Sequence, residues 1–112
     1  MAAEPPRVFY RVVRTDPPTL WDCTSNEERG RRPRRQLDAA GRRLWRGLSI
    51  FDTAEGARQA ARTTPGLGSF IARLEIPPGA LLEIERTGRA GHHTLWGRPA
   101  DVHRLVVAVE PL

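Results

Sequence analysis

The sequence predicts an α+β fold, with a mostly antiparallel sheet, curved or split, and two or three short helices. Five or six short stretches read as strands, each rich in β-branched and aromatic residues or alternating apolar with polar. The helical signals between them are short and irregularly spaced. No strand–helix–strand alternation and no internal repeat occurs, so neither a doubly wound parallel sheet nor a solenoid fits. At 112 residues and 12.5 kDa the chain makes one domain, residues 1–112, with one modest core.

Taken in order, residues 1–6 form a flexible lead-in. Val8–Arg14 is the first strand, stopped at Thr15-Asp16-Pro17-Pro18 because proline cannot extend a ladder. Leu20–Cys23 packs down as a short turn. Ser25 with Glu28 makes a capping box for a brief helix ending at Gly30. Residues 29–46 carry eight arginines, and Gly30, Pro33 and Gly41 break any long helix. A loop and a short helix over Gln36–Trp45 are expected, with Leu37, Leu44 and Trp45 inward. Leu48, Ile50 and Phe51 then form a buried strand that passes at once into a helix from Thr53 to Arg62, capped by Asp52 with Glu55 completing the box.

Phe70–Ile76 alternates, with Phe70, Ala72, Leu74 and Ile76 on one face. Pro77-Pro78-Gly79 turns the chain into a strand over Leu81–Arg86. His93–Trp96 is a short strand and Pro99–Val102 one turn. The apolar run Arg104–Glu110 reads as a closing strand, central in the sheet.

Composition bounds the function. Apolar content is 39% and charged content 28%, as in a globular protein, and no apolar run approaches the roughly 20 residues of a membrane span. No membrane partner is expected. The start of the chain has neither the basic residues nor the apolar stretch of a secretory signal. One cysteine, Cys23, excludes an internal disulfide framework, and the expected location is the cytoplasm. Net charge is +5, and all 18 basic residues are arginine. GC-rich coding produces such a bias, together with abundant Ala, Gly and Pro. Arginine also suits phosphate through its planar fork.

Several residues could carry chemistry. Arg11 lies among apolar neighbours in the first strand, and a charge there must be paired. It either bridges to Glu75, Glu83 or Glu85 or offers a fork to a phosphate or ribose. Ser49 and Thr53 place hydroxyls at a strand end, where they serve the local backbone or a ligand. His92 and His93 are adjacent between glycines and would face opposite sides of a strand, so one alone can enter a given site. His92, His93, Asp101 and His103 lack a metal-ligand spacing, and no metal is expected. Cys23 has no activating base nearby. No phosphate-binding glycine loop or nucleophile elbow occurs.

The order of these pieces resembles a compact ADP-ribosyltransferase-like domain, the group that includes bacterial toxin domains, RES-type NAD-degrading toxins and RNA 2′-phosphotransferases. Tyr10-Arg11 looks like the first motif and Gly47–Thr53 like the second, a strand with a small hydroxyl residue and an aromatic running into a helix. His93-Thr94-Leu95-Trp96 stands where the third would be. The resemblance covers most of the chain as an order of elements, through short motifs. It implies NAD as substrate, with Tyr10, Arg11, Ser49, Phe51 and Thr53 about the cofactor and His93 at the reacting ribose. The family's usual third-motif Glu is missing: either Glu83 or Glu85 comes in from the neighbouring strand, or the chemistry has changed, or the domain only binds.

The expected function is therefore NAD or nucleotide handling, by transfer of ADP-ribose or by cleavage at the nicotinamide ribose. The rival is a non-enzymatic module in which the arginine-rich segment 29–46 engages RNA or an acidic protein partner. A third option is an interaction protein with no small-molecule site.

Overall fold

The computed structural model describes residues 4–112; of the expected lead-in, Met1–Ala3 lie outside the described residues, and Glu4–Pro6 carry no regular structure. Six strands, β1 (Arg7–Val13), β2 (Leu48–Phe51), β3 (Phe70–Ile76), β4 (Glu83–Arg86), β5 (His92–Trp96) and β6 (Val106–Pro111), form one open antiparallel sheet in the order β4-β5-β2-β1-β3-β6. Three short α-helices, α1 (Ala39–Trp45), α2 (Ala54–Thr63) and α3 (Pro99–His103), and a 3-10 turn over Leu20–Cys23 complete the fold. This is the α+β class the sequence predicts.

The sheet is split at its centre. β1 runs in unbroken register with β3, from Arg7↔Ile76 to Val13↔Phe70. Against β2 it keeps the single pair Tyr10↔Phe51. Beyond that pair the two strands part, leaving a gap between the halves β4-β5-β2 and β1-β3-β6.

Side-chain alternation gives each face its own core. One face gathers Phe9, Leu48, Ile50, Leu74, Ile76 and Leu95 under Cys23 of the 3-10 turn and Val102 of α3. The other is smaller: Val12 and Ile71 pack beneath Ala57 of α2, flanked by Tyr10, Phe51 and Ala61. Ala57 is fully buried, so this helix approaches as closely as a methyl allows.

Local details depart from the sequence reading. Thr53, not Asp52, caps α2: its Oγ1 accepts from Gly56 N at 3.0 Å. Asp52 N donates instead to Gly91 O at 3.0 Å, and Thr53, extended at φ −132° and ψ 151°, starts the helix one residue on. Glu55 then pairs with Arg62 at 3.0 Å rather than closing a box. The Ser25–Glu28 box does form, with Glu28 N to Ser25 Oγ at 3.2 Å and Ser25 N to Glu28 Oε1 at 2.9 Å. The segment it opens is a run of turns closed by Gly30 at φ +72°, not a helix. Leu44 is exposed rather than inward. β6 is an edge strand, not a central one. It pairs only with β3 through a register shift at Arg73/Leu74, and Val107 stands 54% exposed.

Cys23 is buried in the larger core, and burial pushes its thiol up to about 11. An unfolded thiol ionises near 8.5, so between about pH 8.5 and 10 the unfolded chain sheds a proton that the folded chain keeps. Stability must fall as pH rises through that window, by on the order of 2 kcal/mol at about 1.4 kcal/mol per pH unit. Urea unfolding at pH 8 and pH 10 checks this, because the drop should shrink in Cys23→Ala relative to the unsubstituted protein.

Candidate functional site

Arg11 shares one face of β1 with Phe9 and Val13, and its guanidinium reaches across toward β2. Nε donates to Asp22 O at 2.7 Å and Nη1 to Ser49 O at 2.8 Å. None of Glu75, Glu83 and Glu85 is its partner, so the expected alternative of a salt bridge is replaced by two backbone carbonyls. Burial is the main cause that draws its pKa down to about 10, and it stays a cation at neutral pH. The Asp22 carboxylate, itself buried, is occupied by Arg14 N at 2.8 Å and Thr19 N at 2.9 Å. Arg14 and Arg29 stand over the Trp21 ring, 5.8 and 4.9 Å from its centroid. With Arg11 they bring three guanidinium groups to one small cleft of about 40 Å³, bounded also by Ser49, Phe51 and Leu67.

Ser49 is the junction. Its carbonyl holds Arg11, and its Oγ lies 3.1 Å from His92 Nε2. Register decides which histidine meets it. Thr94 opposes Ser49 and His92 opposes Phe51, which puts His92, Thr94, Ser49 and Phe51 on one face. His92 Nδ1 lies 2.8 Å from Thr87 O, a group that can only accept. Nδ1 therefore carries a proton, and in the neutral ring Nε2 is left to accept from the Ser49 hydroxyl. Phe51 meets the same ring edge-on at 5.3 Å between centroids.

Phe51 and His92 also wall a second cavity of about 340 Å³, between α2 and the β4–β5 turn, with Gln59, Thr63 and Arg89 as its polar groups. Its size suits a flat ring and a sugar. Phe51 borders both spaces, so the arginine cleft and this cavity adjoin.

The structure brings together Arg11, Ser49 and Phe51 of the residues singled out from the sequence. It separates the others. His93 opposes Ile50 and points to the opposite face, where its ring meets Phe9 edge-on at 5.0 Å. Thr53 Oγ1 is occupied in capping α2. Tyr10 borders a different cavity of about 270 Å³ with Arg73 and Glu110. Glu83 and Glu85 are both paired with Arg43 of α1, which also lies over Trp96, and neither borders the cleft. His103 Nε2 donates to Pro18 O at 2.8 Å, a structural bond. His92, Arg14 and Arg29 join the site without having been singled out for it. The adjacent histidines were a signal for His92, but the choice between them rests on register.

Replacing Arg11 with Met keeps the stem and leaves the Asp22 and Ser49 carbonyls without their donor. Asp22 is buried and Ser49 exposed, so only the Asp22 carbonyl is left unpaired away from water, and a loss of roughly 1–3 kcal/mol is expected. Ser49→Ala, which keeps the carbonyl, should cost less than about 1 kcal/mol by the same measure. Denaturant midpoints of the two variants check the ranking.

Comparison with protein-family models, with curated proteins and with solved structures gives no match for this chain.

Proposed function

We propose that the protein handles NAD or a closely related nucleotide at the β1–β2 gap, in the manner of an ADP-ribosyltransferase-like domain. The observation that carries this reading is the meeting at Ser49 of a half-buried cation and an imidazole, beside an aromatic face and a ring-sized cavity. In this reading Arg11, with two of its five N–H groups given to backbone carbonyls, turns the rest toward a phosphate, helped by Arg14 and Arg29. The Ser49 hydroxyl bonds the nicotinamide ribose. Phe51 lies against the nicotinamide ring.

His92 takes the role expected of His93, because it is the imidazole bonded to Ser49. In the reaction the ribose C1′–N bond breaks and nicotinamide leaves with the bonding pair. The sugar carbon is then taken by water or an acceptor hydroxyl, whose proton passes to Ser49 Oγ as the Ser49 hydroxyl proton moves to His92 Nε2. No carboxylate from β4 stands beside the positive charge that develops on the ribose, since Glu83 and Glu85 are held by Arg43. Binding should therefore be easier to detect than turnover.

Two measurements test the reading: melting temperature against NAD concentration, and nicotinamide release followed by chromatography. A saturable rise in melting temperature is expected, with slow release that His92→Ala abolishes and His93→Ala leaves in place. The absence of both the rise and the release would overturn it.

A further inference from the structure

Apart from Arg29, which borders the Ser49 cleft, the arginine-rich segment lies away from that cleft, and the structure sorts its eight arginines into two groups. Four have partners. Arg29 donates to Thr24 Oγ1 and Trp21 O, Arg42 to Leu37 O, Arg43 to Glu83 and Glu85, and Arg46 to Glu27. The other four, Arg31, Arg32, Arg34 and Arg35, are exposed, and no side-chain hydrogen bond or ion pair among the described residues engages them. Four free guanidinium groups within five residues make a concentrated positive charge that the fold itself does not use.

The second observation is what lies beside them. Trp45, Leu37 and Pro33 border a cleft of about 360 Å³ whose rim carries Arg31, Arg32 and Arg42, together with Gln36 and Glu27, whose carboxylate is paired with Arg46. Trp45 is half-buried, and its Nε1 donates to Arg31 O at 3.0 Å, which ties the ring to the loop. An aromatic and apolar space edged by guanidinium groups suits a base with phosphates on either side. An acidic peptide would match the charge but would leave the Trp45 cleft without a planar group to fill it.

We infer that residues 31–45 bind single-stranded nucleic acid, with the phosphates on Arg31, Arg32, Arg34 and Arg35 and a base in the Trp45 cleft. No sequence preference follows, because stacking accepts every base. The surface is independent of the NAD reading, since it shares no residue with the Ser49 cleft or the cavity beside it.

The test is fluorescence anisotropy on the full chain with a labelled 12-nucleotide oligouridylate, an abasic strand of equal length, and polyglutamate. With about 0.7 counterions released per phosphate, four contacts give a salt slope near −2.8, or roughly 50-fold weaker binding between about 50 and 200 mM salt. Arg32→Ala with Arg34→Ala should halve that slope without moving the melting temperature, because both side chains are exposed and unpartnered. The abasic strand should bind at least about fivefold more weakly, the low end of a stacking contribution. No binding at about 50 mM salt, a slope unchanged in the double variant, equal binding of the abasic strand, or equal binding of polyglutamate would each overturn the inference.

Discussion

The Arg11 guanidinium holds together two pieces of backbone that the sheet leaves apart. β1 and β2 share one registered pair, and beyond it the ladder bonds that would normally join neighbouring strands are missing. Arg11 substitutes by donating to Ser49 O on β2 while also anchoring Asp22 O in the 3-10 turn. The buried Asp22 carboxylate continues the chain of bonds by holding Arg14 N and Thr19 N. Remove the cation and the strand, the turn and the loop entering it lose a common partner. Its partial burial is tolerated because two neutral carbonyls accept hydrogen bonds from it.

Much of the fold was legible in the residues. Phe70–Ile76 alternates so regularly that its bounds match the structure and Ala72, Leu74 and Ile76 are buried on the expected face, but Phe70 is only half-buried and Ile71 is buried on the other face beneath α2. β1 ends at Val13, close to the expected Arg14 but before the prolines, where Arg14 N turns to the Asp22 carboxylate. What failed was decided by partners distant in sequence. Asp52 and Thr53 are both good caps, and the Gly91 carbonyl chose between them. The apolar run of β6 could have been central, and only the pairing order puts it at the edge.

The site was legible to the same degree. Arg11, Ser49 and Phe51 stood out locally and are gathered at one place. His92 and His93 differ by one residue in a strand, and that one residue moves an imidazole from the cleft to the opposite face. Nothing in Gly91–Gly97 states which face β2 will present. The composition also concealed a division of labour among the arginines. Some hold backbone carbonyls, as Arg11 does; some hold carboxylates, as Arg43 does; and others, as at Arg34, are left to solvent.

The seam at Tyr10↔Phe51 has a mechanical consequence. Each three-stranded half keeps its own continuous ladders, whereas little backbone bonding crosses between them. The halves are thus two stiff plates with a compliant joint, along which opening requires the fewest backbone bonds to break. A ligand seated across that joint touches both plates at once. Its binding energy therefore goes partly into closing the joint, and occupancy should register as slower amide exchange at the ends of β1 and β2 before it registers anywhere else.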